Sequence, residues 1–190
     1  LYAIAIPDEL RRRLASGELE TPKPGDPRLA ISEFRLVASP RQMLEAAAAA
    51  AQQLGITPLI LGDAIEGEAR EHARVQAAMA LARRHDNPGM RPCLILSGGE
   101  STVTVRGRGR GGRNSEFLLS LANALAGAPG IYALAADTDG IDGTQDNVGA
   151  ILTPASWQRA RDLGLDAPAM LADNDSYCFF AALDDLLVTG

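Results

Sequence analysis

Between Leu94 and Glu116 the chain changes character three times, and this run restricts the fold more than any other. An apolar stretch ending at Leu96 breaks at Ser97-Gly98-Gly99, and an alternating Thr/Val run follows from Thr102 to Val105. A loop of glycine and arginine then opens into an amphipathic segment beginning at Asn114. The order predicts a strand, a tight turn, a second strand, a cationic glycine loop and a helix. Arg106, Arg108, Arg110 and Arg113 fall within eight residues of a chain whose formal net charge is −6. Positive charge concentrated against the overall balance calls for an anionic ligand.

The 190 residues suffice for one filled core plus an appendage, and 46% apolar with 22% charged residues is an ordinary globular balance. Starting at Leu1 and stopping after an apolar run at Gly190, the chain reads as a piece of a longer polypeptide. No segment approaches the length of a membrane span, and the Ala46–Ala51 run is too short. Cys93 and Cys178 lie in apolar surroundings and read as buried free thiols in a reducing, cytoplasmic compartment. Lys23 is the sole lysine, and it falls in the proline-rich stretch Glu20–Pro27, a solvated linker by composition. A mechanism that needs another lysine must take it from elsewhere.

In chain order, a helix is expected after Pro7, its acids Asp8 and Glu9 preceding Arg11, Arg12 and Arg13 as the helix dipole favours. These arginines read as a solvated face rather than a nucleic-acid contact. Beyond the linker, strands are expected at Phe34–Ala38, Thr57–Leu61, Cys93–Leu96, Ile131–Ala136 and Val148–Leu152, with a last one over Leu186–Thr189. Helices are expected at Pro40–Leu54, Glu66–Arg84, Asn114–Ala126, Pro154–Leu163 and Asn174–Leu183. Alternating strands and helices, with strands apolar on both faces, predict a layered α/β/α domain with a mostly parallel, partly mixed sheet. The antiparallel part is assigned to the excursion through Thr102–Val105. Residues 1–30 are read as a helical tail and linker from an upstream domain, and residues 31–190 as the α/β domain.

Three stretches can carry chemistry. The glycine–arginine loop lets backbone approach a ligand, and Arg113 at the helix mouth can grip an oxyanion at two points; phosphate and carboxylate both fit. Arg106, Arg108 and Arg110, in a loop free to move, are assigned a supporting field. The run Asp137-Thr138-Asp139-Gly140-Ile141-Asp142-Gly143 follows a strand and crowds carboxylates that repel unless a cation neutralises them, which suits Mg²⁺ with nucleotide phosphates. The alternative is that its Asp-Gly pairs only make tight turns. Ser97-Gly98-Gly99-Glu100-Ser101-Thr102 is either a phosphate or substrate cradle or a plain turn. Neither a Walker A motif nor an ordered dinucleotide fingerprint is present. His72 and His85 read as surface residues, and Trp157 and Tyr177 as core.

These motifs, together with Gly111-Gly112-Arg113-Asn114-Ser115-Glu116-Phe117, Glu20–Pro24 and Leu171-Ala172-Asp173-Asn174-Asp175-Ser176, resemble the leucine-rich C-terminal domain of the class II glycerate 2-kinases. Members are also labelled hydroxypyruvate reductases of tartrate pathways. The resemblance implies a two-domain enzyme that phosphorylates the 2-hydroxyl of D-glycerate with ATP and Mg²⁺ in a cleft beside an N-terminal Rossmann-like domain. That domain supplies the family's active-site lysine, and the family's arginine maps onto Arg113. The expected catalytic residues are therefore Arg113, Asp137 and Asp139, with Mg²⁺ on Asp137, Asp139 and Asp142. Substrate or phosphate contacts are expected from Ser97, Gly98, Gly99, Glu100, Ser101, Thr102, Gly111, Gly112, Asn114, Glu116, Thr138 and Gly140. The expected partners are glycerate and the missing domain, with a homo-oligomer open and neither nucleic acid nor membrane involved. A nicotinamide-dependent reductase and a non-catalytic anion-binding module are the alternatives.

Overall fold

The computed structural model describes residues 5–86 and 92–189, so the first residues of the expected tail and the terminal Gly190 lie outside the described residues. Residues 1–38 and 39–190 are separate compact units. In the first, α1 (Asp8–Ala15) starts after Pro7 with Asp8 and Glu9 in its first turn, and none of its residues is buried. A single 3₁₀ turn, Pro27–Leu29, is capped by Asp26, whose carboxylate accepts the Arg28 N–H at 2.9 Å. The strand expected over Phe34–Ala38 does not form. Phe34, Leu36 and Val37 are exposed and no strand among the described residues pairs with them, and an extended segment without a ladder partner is only coil.

The second unit opens with α2 (Pro40–Gln53), where the Ser39 hydroxyl accepts the Gln42 N–H and Pro40 takes the first helical position. Leu44, Ala48 and Ala51 are its buried stripe. Next come β1 (Thr57–Glu68), α3 (Ala69–Asp86) and β2 (Cys93–Thr102), a βαβ unit with parallel register from Thr57 opposite Cys93 to Glu68 opposite Thr102. Then follow α4 (Arg113–Leu125), β3 (Ala133–Ala136), β4 (Gly149–Leu152), α5 (Pro154–Asp162), α6 (Ala167–Ala172), α7 (Ser176–Ala182) and β5 (Leu186–Leu187). Leu118, Leu119, Leu121, Ala122 and Leu125 of α4 meet Ala73 and Ala77 of α3, Ala150 and Leu152 of β4, and Phe179 and Phe180 of α7. Alanines on α3 let α4 come close, and the two phenylalanine rings meet edge to face at 5.1 Å.

The α/β class holds, but the sheet does not have the expected form. Among the described residues β1 and β2 make a two-stranded parallel sheet, and β3, β4 and β5 make a separate antiparallel one in that order. Gly98-Gly99 is no turn: β2 runs through it, and β1 extends alongside to Glu68 with two register shifts. A Cβ on Gly99, whose φ is +151°, would lie 2.1 Å from the Ile65 carbonyl oxygen, so glycine permits a close approach of strands rather than a reversal. The antiparallel excursion through Thr102–Val105 is absent; β2 ends at Thr102. β3, read as buried, is an edge strand with Leu134 61% exposed. Helix α6 was not anticipated, since its short Ala-Pro-Ala start carries little periodicity. Both cysteines are free as expected, but Cys93 is exposed and Cys178 half-buried.

Candidate active site at the mouth of α4

The helix mouth expected to receive a ligand already holds a carboxylate. Asp142, fully buried, accepts the N–H groups of Asn114 at 2.9 Å and Ser115 at 2.8 Å, the Ser115 hydroxyl at 2.7 Å and the Asn114 amide at 3.2 Å. Its charge sits where the helix dipole and free N–H groups favour an anion. Gly112 makes room: a Cβ there would lie 2.4 Å from the Asp142 carboxylate. Ser115 ties back through its hydroxyl to the Gly112 N–H at 3.0 Å and receives Ser176 at 3.0 Å. Asp142 is a helix cap, its oxygens consumed, and not a metal ligand in waiting.

Arg113 is the first residue of α4, and its guanidinium gathers two of the motifs. Nε and Nη2 donate to one Asp137 carboxylate oxygen at 2.9 and 2.5 Å, while Nη1 donates to Glu100. Asp137 stands just past β3, its N–H bonded to the Val148 carbonyl at 2.7 Å, and Glu100 projects from β2. Burial pushes the Asp137 carboxyl up, but the Arg113 hydrogen bonds and charge, with help from Asp139, outweigh it and hold it below the ordinary carboxylate range. The Asp137 side chain is 10% exposed against 73% for Glu100. One carboxylate thus anchors the arginine and the other can leave it.

Asp139 is exposed, and one of its oxygens accepts the Ile141 N–H at 3.2 Å in a tight turn shared with Thr138 and Gly140, whose φ is +96°. The three-carboxylate Mg²⁺ set is therefore not assembled: Asp142 is turned into the helix, Asp137 is held by arginine, and only Asp139 is open. Among the described residues no group of three His, Cys, Asp or Glu side chains converges. That donor set does not fit the ion.

The glycine–arginine segment is not a mobile loop. It bends at Gly107 and Arg108 and is pinned by its backbone, with the N–H groups of Arg106 and Gly107 on Asn174 Oδ1, Arg108 on Asp173, Gly109 on the Asp173 carbonyl and Arg110 on Asp175. A Cβ on Gly107, Gly109 or Gly111 would lie 2.1–2.4 Å from Asp173, Asp175 or Ser176. Glycines therefore face the 173–176 strip, and Arg106, Arg108 and Arg110 face outward and exposed. Arg110 also lies 4.4 Å over the Tyr177 ring and donates to Gln145 at 2.6 and 2.9 Å, while the Tyr177 hydroxyl donates to Asp146 at 2.8 Å. Tyr177 is thus a tether at the rim rather than a core residue, whereas Trp157 packs against the core.

Glu116, expected at the ligand, is 2% exposed and paired with Arg70, so it is a buried structural acid. Ser97 accepts an amide N–H from Gln76 at 3.0 Å, Gly98 lies under Leu44 of α2, and Ser101 and Thr102 pair with Gly67 and Glu68 in the ladder. From that motif only Glu100 reaches the arginine. His72 is half-buried, its Nε2 2.7 Å from the Glu66 carbonyl oxygen, and His85 is exposed. Residues the sequence reading passed over are Arg70, Asp173, Asn174 and Asp175; the last three stood in a quoted motif without a role.

The site is thus an arginine held between two carboxylates at a helix mouth of an α/β domain. The MOFRL family matches residues 93–190, from the start of β2 to the end of the chain, and the chain belongs to that family. It is 33% identical over its whole length to a D-glycerate 2-kinase from Thermotoga maritima, covering 44% of that protein. It is 55% identical, again over its whole length, to an Agrobacterium vitis protein that carries a hydroxypyruvate reductase name, covering 43% of it. A crystal structure of glycerate kinase from Thermotoga maritima superposes with a TM-score of 0.74 at 30% identity, over 96% of this chain and 46% of that one. The resemblance to the glycerate 2-kinases is borne out, and the chain spans under half the length of these relatives.

Proposed function

We propose that this chain is the C-terminal part of a glycerate 2-kinase that moves the γ-phosphoryl group of ATP to the 2-hydroxyl of D-glycerate. The observation that carries the reading is Arg113, fixed by Asp137 on one side and lent to exposed Glu100 on the other. Glu100 stands in for the anion: a substrate carboxylate or phosphoryl group displaces it, while Asp137 keeps the guanidinium aimed. Phosphoryl transfer asks the protein chiefly to position reactants and neutralise charge, which a held guanidinium does. Arg106, Arg108 and Arg110 add positive field along the approach. ATP brings the transferable group, and Mg²⁺ travels on its phosphates with at most Asp139 offering an open carboxylate; no step is assigned to the ion. The upstream part of the longer protein supplies the active-site lysine, since the sole lysine of this chain, Lys23, is exposed and paired with Glu20. Two free cysteines agree with a cytoplasmic setting.

The test is steady-state phosphorylation of D-glycerate by the full-length protein. Arg113→Ala is expected to lose about 10- to 1,000-fold in kcat/KM, since a charge-assisted two-point contact is worth roughly 1.5–3 kcal/mol or more in a transition state. Arg113→Lys should recover only part, because an ammonium cannot make the fork. Near-wild-type kinetics for Arg113→Ala would sink the assignment. The name carried by the Agrobacterium vitis relative keeps a second reading open, a nicotinamide-dependent reductase, and oxidation of NADH with hydroxypyruvate in the same preparation decides it.

A further inference from the structure

The Asp173-Asn174-Asp175 strip touches no candidate reacting group, yet every backbone N–H from Arg106 to Arg110 ends on it. At its centre Asn174 is 6% exposed and holds a left-handed backbone at φ +57°, a conformation asparagine tolerates better than most residues. Its amide is fully used. Oδ1 accepts Arg106 N–H at 2.7 Å and Gly107 N–H at 3.0 Å, and Nδ2 donates to Glu116 Oε1 at 3.2 Å and to the Thr104 carbonyl at 3.4 Å. Glu116 in turn receives Arg70, which also donates to the Leu171 carbonyl at 3.3 Å.

From this geometry we infer that Asn174 is a positioning residue: it sets the register of the glycine–arginine segment against α4 and so fixes where Arg113 enters the site. Two acceptor bonds hold the segment and two donor bonds hold the clamp, one of them to an acid one turn into α4. A side chain that only accepts cannot do both. Aspartate would still receive the two N–H groups but would face the buried Glu116 carboxylate without a donor between them, and like charges that close repel. Slippage of the segment by even a fraction of a residue drives a glycine face with no space for displacement into Asp173 and Ser176. Arg113, three residues beyond Arg110, moves with it.

The kinetic arm of the test rests on the phosphoryl-transfer reading, and the exchange arm does not. In the full-length protein, N174D should speed amide hydrogen exchange across residues 104–110 and lower kcat/KM for glycerate by roughly 10- to 100-fold, mostly in kcat, as misplaced catalytic groups do. The double variant N174D/E116Q should regain most of the protection and most of the rate, because a glutamine can accept from Arg70 and donate to the new carboxylate. Unchanged exchange in N174D overturns the proposal. So does a double variant no better protected than N174D, including the case in which N174D alone fails to fold. Should the wild-type protein leave glycerate unphosphorylated, the function reading falls, and the exchange data alone decide the role of Asn174.

Discussion

Asp137 is where burial and charge oppose each other most directly. Its folded carboxyl titrates below its unfolded value, so the Arg113 pair stabilises the fold fully above the ordinary carboxylate pKa of about 3.9 and that contribution disappears as the pH falls through the lower, folded value. The stability advantage of wild type over Asp137→Asn, measured by urea unfolding, should therefore be flat from neutrality to about pH 5 and shrink in acid. An advantage that grew on acidification would show the pair to be misassigned. Arg113 and Asp137 were each legible as chemical residues. Their pairing was not, because they lie 24 positions apart and spacing alone does not say which of several acids an arginine meets. The three nearby acids could not be told apart for the same reason: they look alike in a sequence, whereas in the fold one faces solvent, one an arginine and one a helix end.

At the level of elements, the start of α4 depends on an acid borrowed from another loop. Removing it leaves the N–H groups of Asn114 and Ser115 without their acceptor, so Asp142→Ala should cost about 2–4 kcal/mol in chemical denaturation, and Asp142→Asn less because one oxygen still accepts. A Mg²⁺ requirement altered in Asp142→Asn with unchanged stability would restore it as a metal ligand. Helix bounds were legible to within a few residues, since α2, α4 and α5 announce themselves by periodicity and by proline or capping residues. Strand ends were not. Gly98-Gly99 breaks the hydrophobic pattern as a turn would, and only the proximity of Ile65 reveals that the glycines serve packing. Phe34–Ala38 fails in the opposite sense, with strand composition but no partner among the described residues.

For the molecule as a whole, Lys23 is exposed and paired with Glu20, so this chain offers no lysine poised for catalysis. Residues 1–190 alone are expected to form 2-phosphoglycerate no faster than a blank, and robust turnover in a coupled assay would refute that. The α/β class was legible from alternating elements; the separation into a parallel pair and an antiparallel trio was not, because β-strand partners are chosen by tertiary contact. The strip that fixes the arginine segment also imposes an order of events. Its side-chain acceptors lie 65–68 residues further along the chain. At a synthesis rate of about 5–20 residues per second, the segment emerges roughly 3 to 14 s before its template exists. Until then a glycine-rich, cationic stretch has no partner for its backbone, so the glycine–arginine segment is among the last parts of a newborn chain to take shape, after the βαβ unit, whose own strand pairing lies wholly within Thr57–Thr102.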